Sequence, residues 1–436
     1  MLGAVDKPDA RAIFGARAWL LMLSAIAGAA GLFVLVFGTI RPAPPERVTM
    51  LTGADGGAYR HFAERYRRAL RAQGIELVLL PSSGSVENLR RIKTDGDIDL
   101  ALIQGGIANE PESSDLVQLG SMFPEPLWIF HRGAEAPGRL DTLSDRRIAI
   151  GPAGSGTQLM ALQILGATGI PIDSGRLVAI GGNEAAQMIR DGDVDVALFV
   201  SAIQGPTVRA LLEDASMRLF DLELVEAYKA RFHHLDVLEM PAGTLDLVAL
   251  RPPYKIHLLA TSAVLVARRD LHPAVVSLLM QIGRDIHGDE DLFQARGEYP
   301  SVRDSGLPLS AQARRFYDSG PPFLQRYLPF WLAVMVDRLL VALLPTLALL
   351  IPLLRIAPPI YAWRMRARIY RWYGELKFLE AQIRSRPPAE HAALAERLNE
   401  IEEAANRAKV PLAYANELYT LREHVALVRS EARPPP

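Results

Sequence analysis

The chain contains no cysteine, which removes disulfides, thiolate metal sites and cysteine nucleophiles together. It has no surplus of either charge, with 48 Lys and Arg against 49 Asp and Glu, which argues against a general nucleic-acid binder. Catalytic signatures are missing as well. The glycine-rich segment 151–157, GPAGSGT, has no Lys before its Ser or Thr, so the nucleotide P-loop pattern fails, and Ala153 stands where a nucleophile elbow needs its first glycine. His233-His234 lacks any H-E-x-x-H context. Asp97 and Asp99, and likewise Asp193 and Asp195, open strand-like runs where turn chemistry explains them, and no EF-hand glutamate follows. With no nucleophile, base and orienting group in a readable motif, the chain reads as a non-enzyme without cofactor or metal.

What is present is size and apolar content: 436 residues, half of them hydrophobic, are enough for two or three packed domains. The stretch 147–168, RIAIGPAGSGTQLMALQILGAT, reads as a buried strand, a glycine-rich loop and a helix in succession. A helix N-terminus there aims unpaired N–H groups and a partial positive charge out of the loop. Gly154, Ser155, Gly156 and Thr157 are therefore candidates to hold a small anion by backbone and hydroxyls. The alternative is a turn that only reverses the chain.

From residue 47 onward strands and helices alternate. RVTML is a strand, TGADGGAY a loop, and Tyr59, Phe62, Ala63, Tyr66 and Leu70 share one face of a helix that Gly74 ends. IELVLL, PSSGS and a helix begun by Ser85 repeat the unit, and DIDLALIQ is a third strand. The pattern predicts a mostly parallel sheet whose ligand crevice lies beyond the carboxyl ends of its strands. Thr52, Ser83, Ser85 and Gln104 fall at that edge. DGDIDLAL at 95–102 is echoed by DGDVDVAL at 191–198, which supports two related lobes. Segments 116–132 and 254–268 read as the outward and return crossings of a hinge. Asn183, Glu184 and Ser201 are weaker candidates in the second lobe's loops.

Residues 18–40 run without a charge and are long enough to cross a bilayer at about 1.5 Å per residue. They read as an uncleaved anchor after a cytoplasmic segment 1–17 containing Lys7, Arg11 and Arg17. A removed signal peptide, cut near Ala30, is the alternative. Residues 41–46, RPAPPE, form a stiff spacer. A second membrane-length run at 328–354 is flanked by Tyr327 and Trp331 and interrupted by Asp337 and Arg338, for which pairing, snorkelling or a wet position near the interface is expected. Arg355, Arg364, Arg366, Arg368, Arg371 and Lys377 follow and mark the cytoplasmic side of a basic, helical tail, 355–436. In that tail Leu394, Leu398, Ile401 and Ala405 share a face, as do Leu418, Leu421, Val425 and Val428, and the terminal RPPP frays.

The ordered set LTGADGGAY, PSSGSVENLRRI, DGDIDLALIQ and IAIGPAGSGT resembles the TAXI-type solute receptors of TRAP transporters, the tripartite ATP-independent periplasmic carriers. The segment from PFLQRYLPFW to YRWYGELK resembles the tail of their membrane-anchored branch, and together the two cover most of residues 47–380. The resemblance implies an α/β, two-lobed type II periplasmic-binding-protein fold over 46–322, with lobe 1 at about 46–125 and 260–322 and lobe 2 at about 126–259. Two transmembrane helices and the helical tail complete the expected architecture. The resemblance further implies a small organic acid or amino acid as ligand and a sodium-coupled membrane permease as partner. By position Thr52, Gly53 and Tyr59 match the first loop pattern, Ser83 and Ser85 the second, and Gly154 to Thr157 the third. Asp55 and the extra helix and tail depart from the soluble receptors. The expected role is a receptor in the cytoplasmic membrane, its binding domain facing the periplasm or exterior, without nucleic acid as partner. The alternative is a membrane-bound sensor of the same solute that signals through the tail.

Overall fold

The computed structural model describes residues 16–39, 43–108, 115–133, 138–173, 175–387, 391–408, 410 and 414–432. Lys7, Arg11, most of the N-terminal segment, Arg41-Pro42 of the spacer and the final RPPP lie outside the described residues. The chain divides into two compact units, Ala43–Val334 and a second made of Met1–Pro42 with Met335–Pro436.

The first unit opens with β1 (Arg47–Leu51), α2 (Ala58–Ala72), β2 (Glu76–Leu80), α3 (Ser85–Thr94) and β3 (Leu100–Gln104), the label α1 being kept for helix Ala16–Thr39 of the second unit. The long β4 (Leu116–Arg132) leads to β5 (Ile148–Ala149), α4 (Gly156–Ala167), β6 (Leu177–Val178), α5 (Gly182–Asp191), β7 (Val196–Val200), α6 (Pro206–Glu213), β8 (Met217–Leu219), α7 (Val225–Arg231) and β9 (Asp236–Met240). The chain returns along β10 (Ile256–Arg268) and closes with α8 (Pro273–His287) and α9 (Ala311–Ser319).

The sheet order is β2-β1-β3-β10-β4-β7-β5-β6, with β8 paired to β4 and β9 to β10. β1 pairs in parallel with β2 and β3, as β5 does with β6 and β7. The sheet is nevertheless mixed, because the two crossing strands run antiparallel to each other and to β3 and β7. One end of β4 pairs with β10 and the other with β7. β4 is buried nearly throughout because both its faces are covered: Leu127 and Ile129 pack with Met160 and Ile164 on one side, Trp128 and Phe130 with Ala185 and Ile189 on the other.

The helical face predicted for α2 is buried as a set, and Tyr59, Phe62, Tyr66 and Leu70 pack with Val275 and Leu279 of α8. The two aspartate echoes do the same work in each half. Asp99 Oδ2 accepts the Thr49 N–H at 2.8 Å and Asp195 Oδ2 accepts the Arg147 N–H at 2.8 Å, so each carboxylate ties the start of a neighbouring strand.

In the second unit, α1 (Ala16–Thr39) is followed after the first unit by α10 (Phe330–Ser385), α11 (His391–Arg407) and α12 (Ala415–Ala432). Among the described residues one stretch, Phe330–Ile356, is long and apolar enough to cross a bilayer, and α1 contributes a shorter apolar stretch, Ile26–Leu35. Arg338, inside the apolar run, lies over the Phe37 ring at 4.5 Å and donates to the Phe37 carbonyl at 3.3 Å. Leu376, Leu379 and Ile383 of α10 pack with the predicted faces of α11 and α12, so the tail is a three-helix bundle. The first turn of α10 belongs to the other unit, with Phe330 and Val334 buried in its core and Trp331 Nε1 donating to Gln73 O at 2.7 Å.

Candidate ligand-binding site

The turns that follow β1, β2, β5, β6 and β7 converge on one cavity of about 100 Å³, at the strand ends where α/β sheets bind ligands. Its walls include Tyr59, Ser83, Ser85, Gln104, Ser155, Gly156 and Thr157, seven of the ten predicted residues. The other three do not line it. Thr52 is buried beside it with its hydroxyl donating to Leu80 O at 3.1 Å, Gly53 packs under the Tyr59 ring, and Gly154 holds the loop with φ +81° and accepts the Glu87 N–H at 3.1 Å. The strand ends are stitched by buried Asn88, whose amide donates to Thr52 O at 2.6 Å and Leu102 O at 2.8 Å.

The α4 end is built to donate. Ser155 caps the helix, its Oγ accepting the Gln158 N–H at 3.0 Å, and Thr157 Oγ1 accepts the Val200 N–H at 3.0 Å. Each hydroxyl has therefore used acceptor capacity on backbone and keeps its O–H to give. The N–H groups of Gly156 and Thr157 sit in the first turn, where no intrahelical acceptor exists. Gln104 closes this end. It is 3% exposed, and its side-chain amide makes no hydrogen bond to any described residue. Its Oε1 lies only 2.0 Å from where a Cβ on Gly156 would stand, so the glycine is what lets the amide reach the helix end.

Opposite in character is Glu125, from the middle of β4, which the sequence reading passed over. It is 2% exposed and accepts the Tyr59 O–H at 2.9 Å. Tyr59 Oη also lies 2.9 Å from Ser85 Oγ, where either hydroxyl can donate, and Ser85 Oγ accepts the Gln104 backbone N–H at 3.1 Å. Burial pushes the Glu125 carboxyl up to about 8, while the Tyr59 hydrogen bond pulls it down. Asp55, the acidic departure in the first loop, is exposed and outside the cavity wall, so the acidic side chain at the cavity is Glu125. The signal for it was available: a glutamate between two prolines inside a long apolar strand is a buried ionisable group in want of a reason.

Of the weaker candidates, Ser201 lines the cavity. Asn183 instead accepts the Thr207 hydroxyl at 2.7 Å, beside the Thr207 N–H to Gly56 O bond of 3.2 Å that joins the start of α6 to the loop after β1. Glu184 and the pair His233-His234 lie outside the wall.

Residues 50–282, half of the chain and more, match a family model centred on these strands and loops. The chain belongs to the NMT1-like family. Solved structures similar to this NMT1-like chain include the periplasmic aliphatic sulphonate binding protein SsuA from Escherichia coli, at 16% identity over 56% of this chain and 73% of that one, with a TM-score of 0.36. The alkanesulfonate-binding protein SsuA from Xanthomonas axonopodis pv. citri bound to MOPS matches at 18% identity over 56% and 74%, TM-score 0.37. An ancestral arginine-binding protein bound to arginine matches at 12% identity over 56% and 94%, TM-score 0.37.

Proposed function

We propose that this NMT1-like protein is a membrane-anchored, extracytoplasmic solute receptor that captures a small carboxylate-bearing solute and hands it to a sodium-coupled TRAP-type permease. The observation that carries the capture step is the α4 end: two hydroxyls left as donors, two first-turn N–H groups and the unpartnered amide of Gln104 face one small cavity. A carboxylate can accept from several of these donors at once, and the helix end adds roughly 0.3–1 kcal/mol, up to about 2 when partly buried. The ten residues named from the sequence, with Glu125 added, form the proposed site, in a binding domain of two lobes held by β4 and β10. The TRAP assignment rests on the resemblance of the loops and tail. Membrane anchoring rests on the apolar stretches in α10 and α1.

The test is a thermal-shift screen of the full chain, in nanodiscs, against small acids and amino acids. A ligand at about 100 times its dissociation constant adds about 2.7 kcal/mol of stability. Ser155→Ala with Thr157→Ala removes both donors, and by calorimetry affinity should fall by about 0.5–1.5 kcal/mol per hydrogen bond, more for a charged acceptor. Unchanged affinity in a folded double mutant would reduce the loop to a turn. A second reading, a solute sensor, draws on the packed bundle of α10, α11 and α12. It is favoured if ligand changes protection of the bundle in hydrogen exchange while transport with a permease is absent.

A further inference from the structure

We propose that the cavity selects a zwitterion of the amino-acid kind, with the α4 end binding its carboxylate and Glu125 binding its ammonium group. This rests on the receptor reading above and narrows the ligand from acids at large to those that carry an amine.

The argument begins with the charges on the wall. Among the described residues no Lys, Arg or His lines the cavity, and Glu125 and Tyr59 are the titratable residues that do. A plain monoanion would gain the fractional positive charge of one helix end and would leave the buried Glu125 carboxyl without a cationic partner. The hydrogen bonding points the same way. Tyr59 Oη lies 2.9 Å from Glu125 Oε2, so a carboxylate formed there on binding keeps the Tyr59 O–H as its donor. An ammonium group supplies the missing cation, and the Gln104 amide offers both a donor and an acceptor between the two ends. Size agrees. A cavity of about 100 Å³ is smaller than the 150 Å³ that takes benzene, so a compact solute fits, and a longer one would need the lobes to part.

Burial holds the free Glu125 carboxyl near 8, so at neutral pH it is largely protonated, and taking up an ammonium group drives it to the carboxylate. Binding should then release up to about one proton, and affinity should rise with pH until about 8. Few other groups act on it. Tyr59 of α2 is itself held protonated by burial, Glu87 of α3 is turned to Ser83 and Arg91, and Thr261, its partner across β10, is uncharged. His287 of α8 stacks on the neighbouring Phe123, and burial keeps it neutral with its pKa near 3.

The test is calorimetry on the full chain in nanodiscs with matched pairs that differ only in the amine: glycine and glycolate, L-alanine and L-lactate, L-glutamate and L-2-hydroxyglutarate. Titrations run at pH 6, 7 and 8 in two buffers of different ionisation heat. We expect an amino acid to bind at least about thirtyfold more tightly than its hydroxy partner, the lower bound for one lost partner of a buried charge pair. Proton release at pH 7 should accompany it. Glu125→Gln should cancel the preference and the proton release. Tyr59→Phe, which leaves the charge in place but removes a bond that favours the carboxylate, should move the pH midpoint upward, and it decides the matter should Glu125→Gln not fold. A hydroxy acid that binds as well as its amino partner, or amino-acid binding without proton release, overturns the amine assignment and leaves the receptor reading standing. No binding across all three pairs overturns both.

Discussion

A methyl group at Gly156 would claim the space that the end of the Gln104 side chain occupies, at 2.0 Å from Oε1 and 3.0 Å from Ser85 Oγ. Because the nearer atom ends a flexible side chain, the collision displaces an amide rather than backbone. Gly156→Ala should therefore weaken ligand binding by about tenfold or more, a hydrogen bond or two, while the melting temperature changes little, since alanine is the better helix former. Affinity retained in the folded variant would remove Gln104 from the site. Glu125 carries a second residue-scale consequence. Its folded pKa of about 8 lies above the ordinary 4.5, so the folded state holds a proton that the unfolded state has released between those values. Stability from this group accordingly falls as pH rises from 4.5 to about 8 and is flat above. His287 has the opposite slope. With its pKa pressed from 6.5 to about 3, it costs stability as pH falls through that window. Denaturation of Glu125→Gln against wild type from pH 5 to 8 should show the mutant gaining steadily, by a few kcal/mol at the upper end. Parallel curves would mean that Glu125 is ionised when folded.

Among the elements, the first turn of α10 has the most to lose. Phe330 and Val334 are 4% and 7% exposed in the core shared with α2 and α8, and Trp331 bonds the end of α2. Phe330→Ala should cost about 3–5 kcal/mol, and a fragment 43–334 should melt above a fragment 46–322 that lacks the turn, both read by circular dichroism. Equal melting would make those contacts idle. The same region shows where the sequence was legible and where it was not. Periodicity exposed α2, the glycine loops and the faces of α11 and α12, because each buries one stripe against one neighbour. It could not show that a membrane-length run begins by burying Phe330 elsewhere, since apolar residues look alike whether lipid or protein covers them. The mostly parallel sheet became mixed for a related reason: 116–132 and 254–268 were recognisable as crossings, but pairing direction is a long-range property. Glu125, between Pro124 and Pro126 in that crossing strand, was legible as a buried acid, but its place at the cavity beside Tyr59 depends on long-range pairing. The site loops were legible because capping serines and positive-φ glycines are local needs, as at Ser155 and Gly154.

At the scale of the whole molecule the proposal stands or falls on sidedness. If both apolar stretches span the membrane, as proposed, the segments before the first and after the second lie on one face, and charge decides which face. Arg355, Arg364, Arg366, Arg368, Arg371 and Lys377 crowd the end of the second run, whereas the first has Lys7, Arg11 and Arg17 offset by Asp6 and Asp9, with Arg41 and Arg47 on its other flank. The dense cluster governs the orientation, so residues 42–326 should lie outside the cytoplasmic membrane and 355–436 inside. Arg338 fits a membrane setting for its run, since its guanidinium is taken up by the Phe37 ring and carbonyl instead of facing lipid bare. Protease added to spheroplasts should digest the central unit and spare an epitope at the C-terminus. If the central unit is protected, the receptor reading goes with the topology, because a domain facing the cytoplasm cannot collect an external solute. If the topology holds but the mature N-terminus is found near Ala30, the first helix is a removed signal, and capture depends on the second helix alone. Arg338→Ala separates these cases further: with both helices retained it should loosen the pairing of α1 with α10, read as a fall in crosslinking between cysteines placed at positions 34 and 341, and with α1 removed it should change nothing.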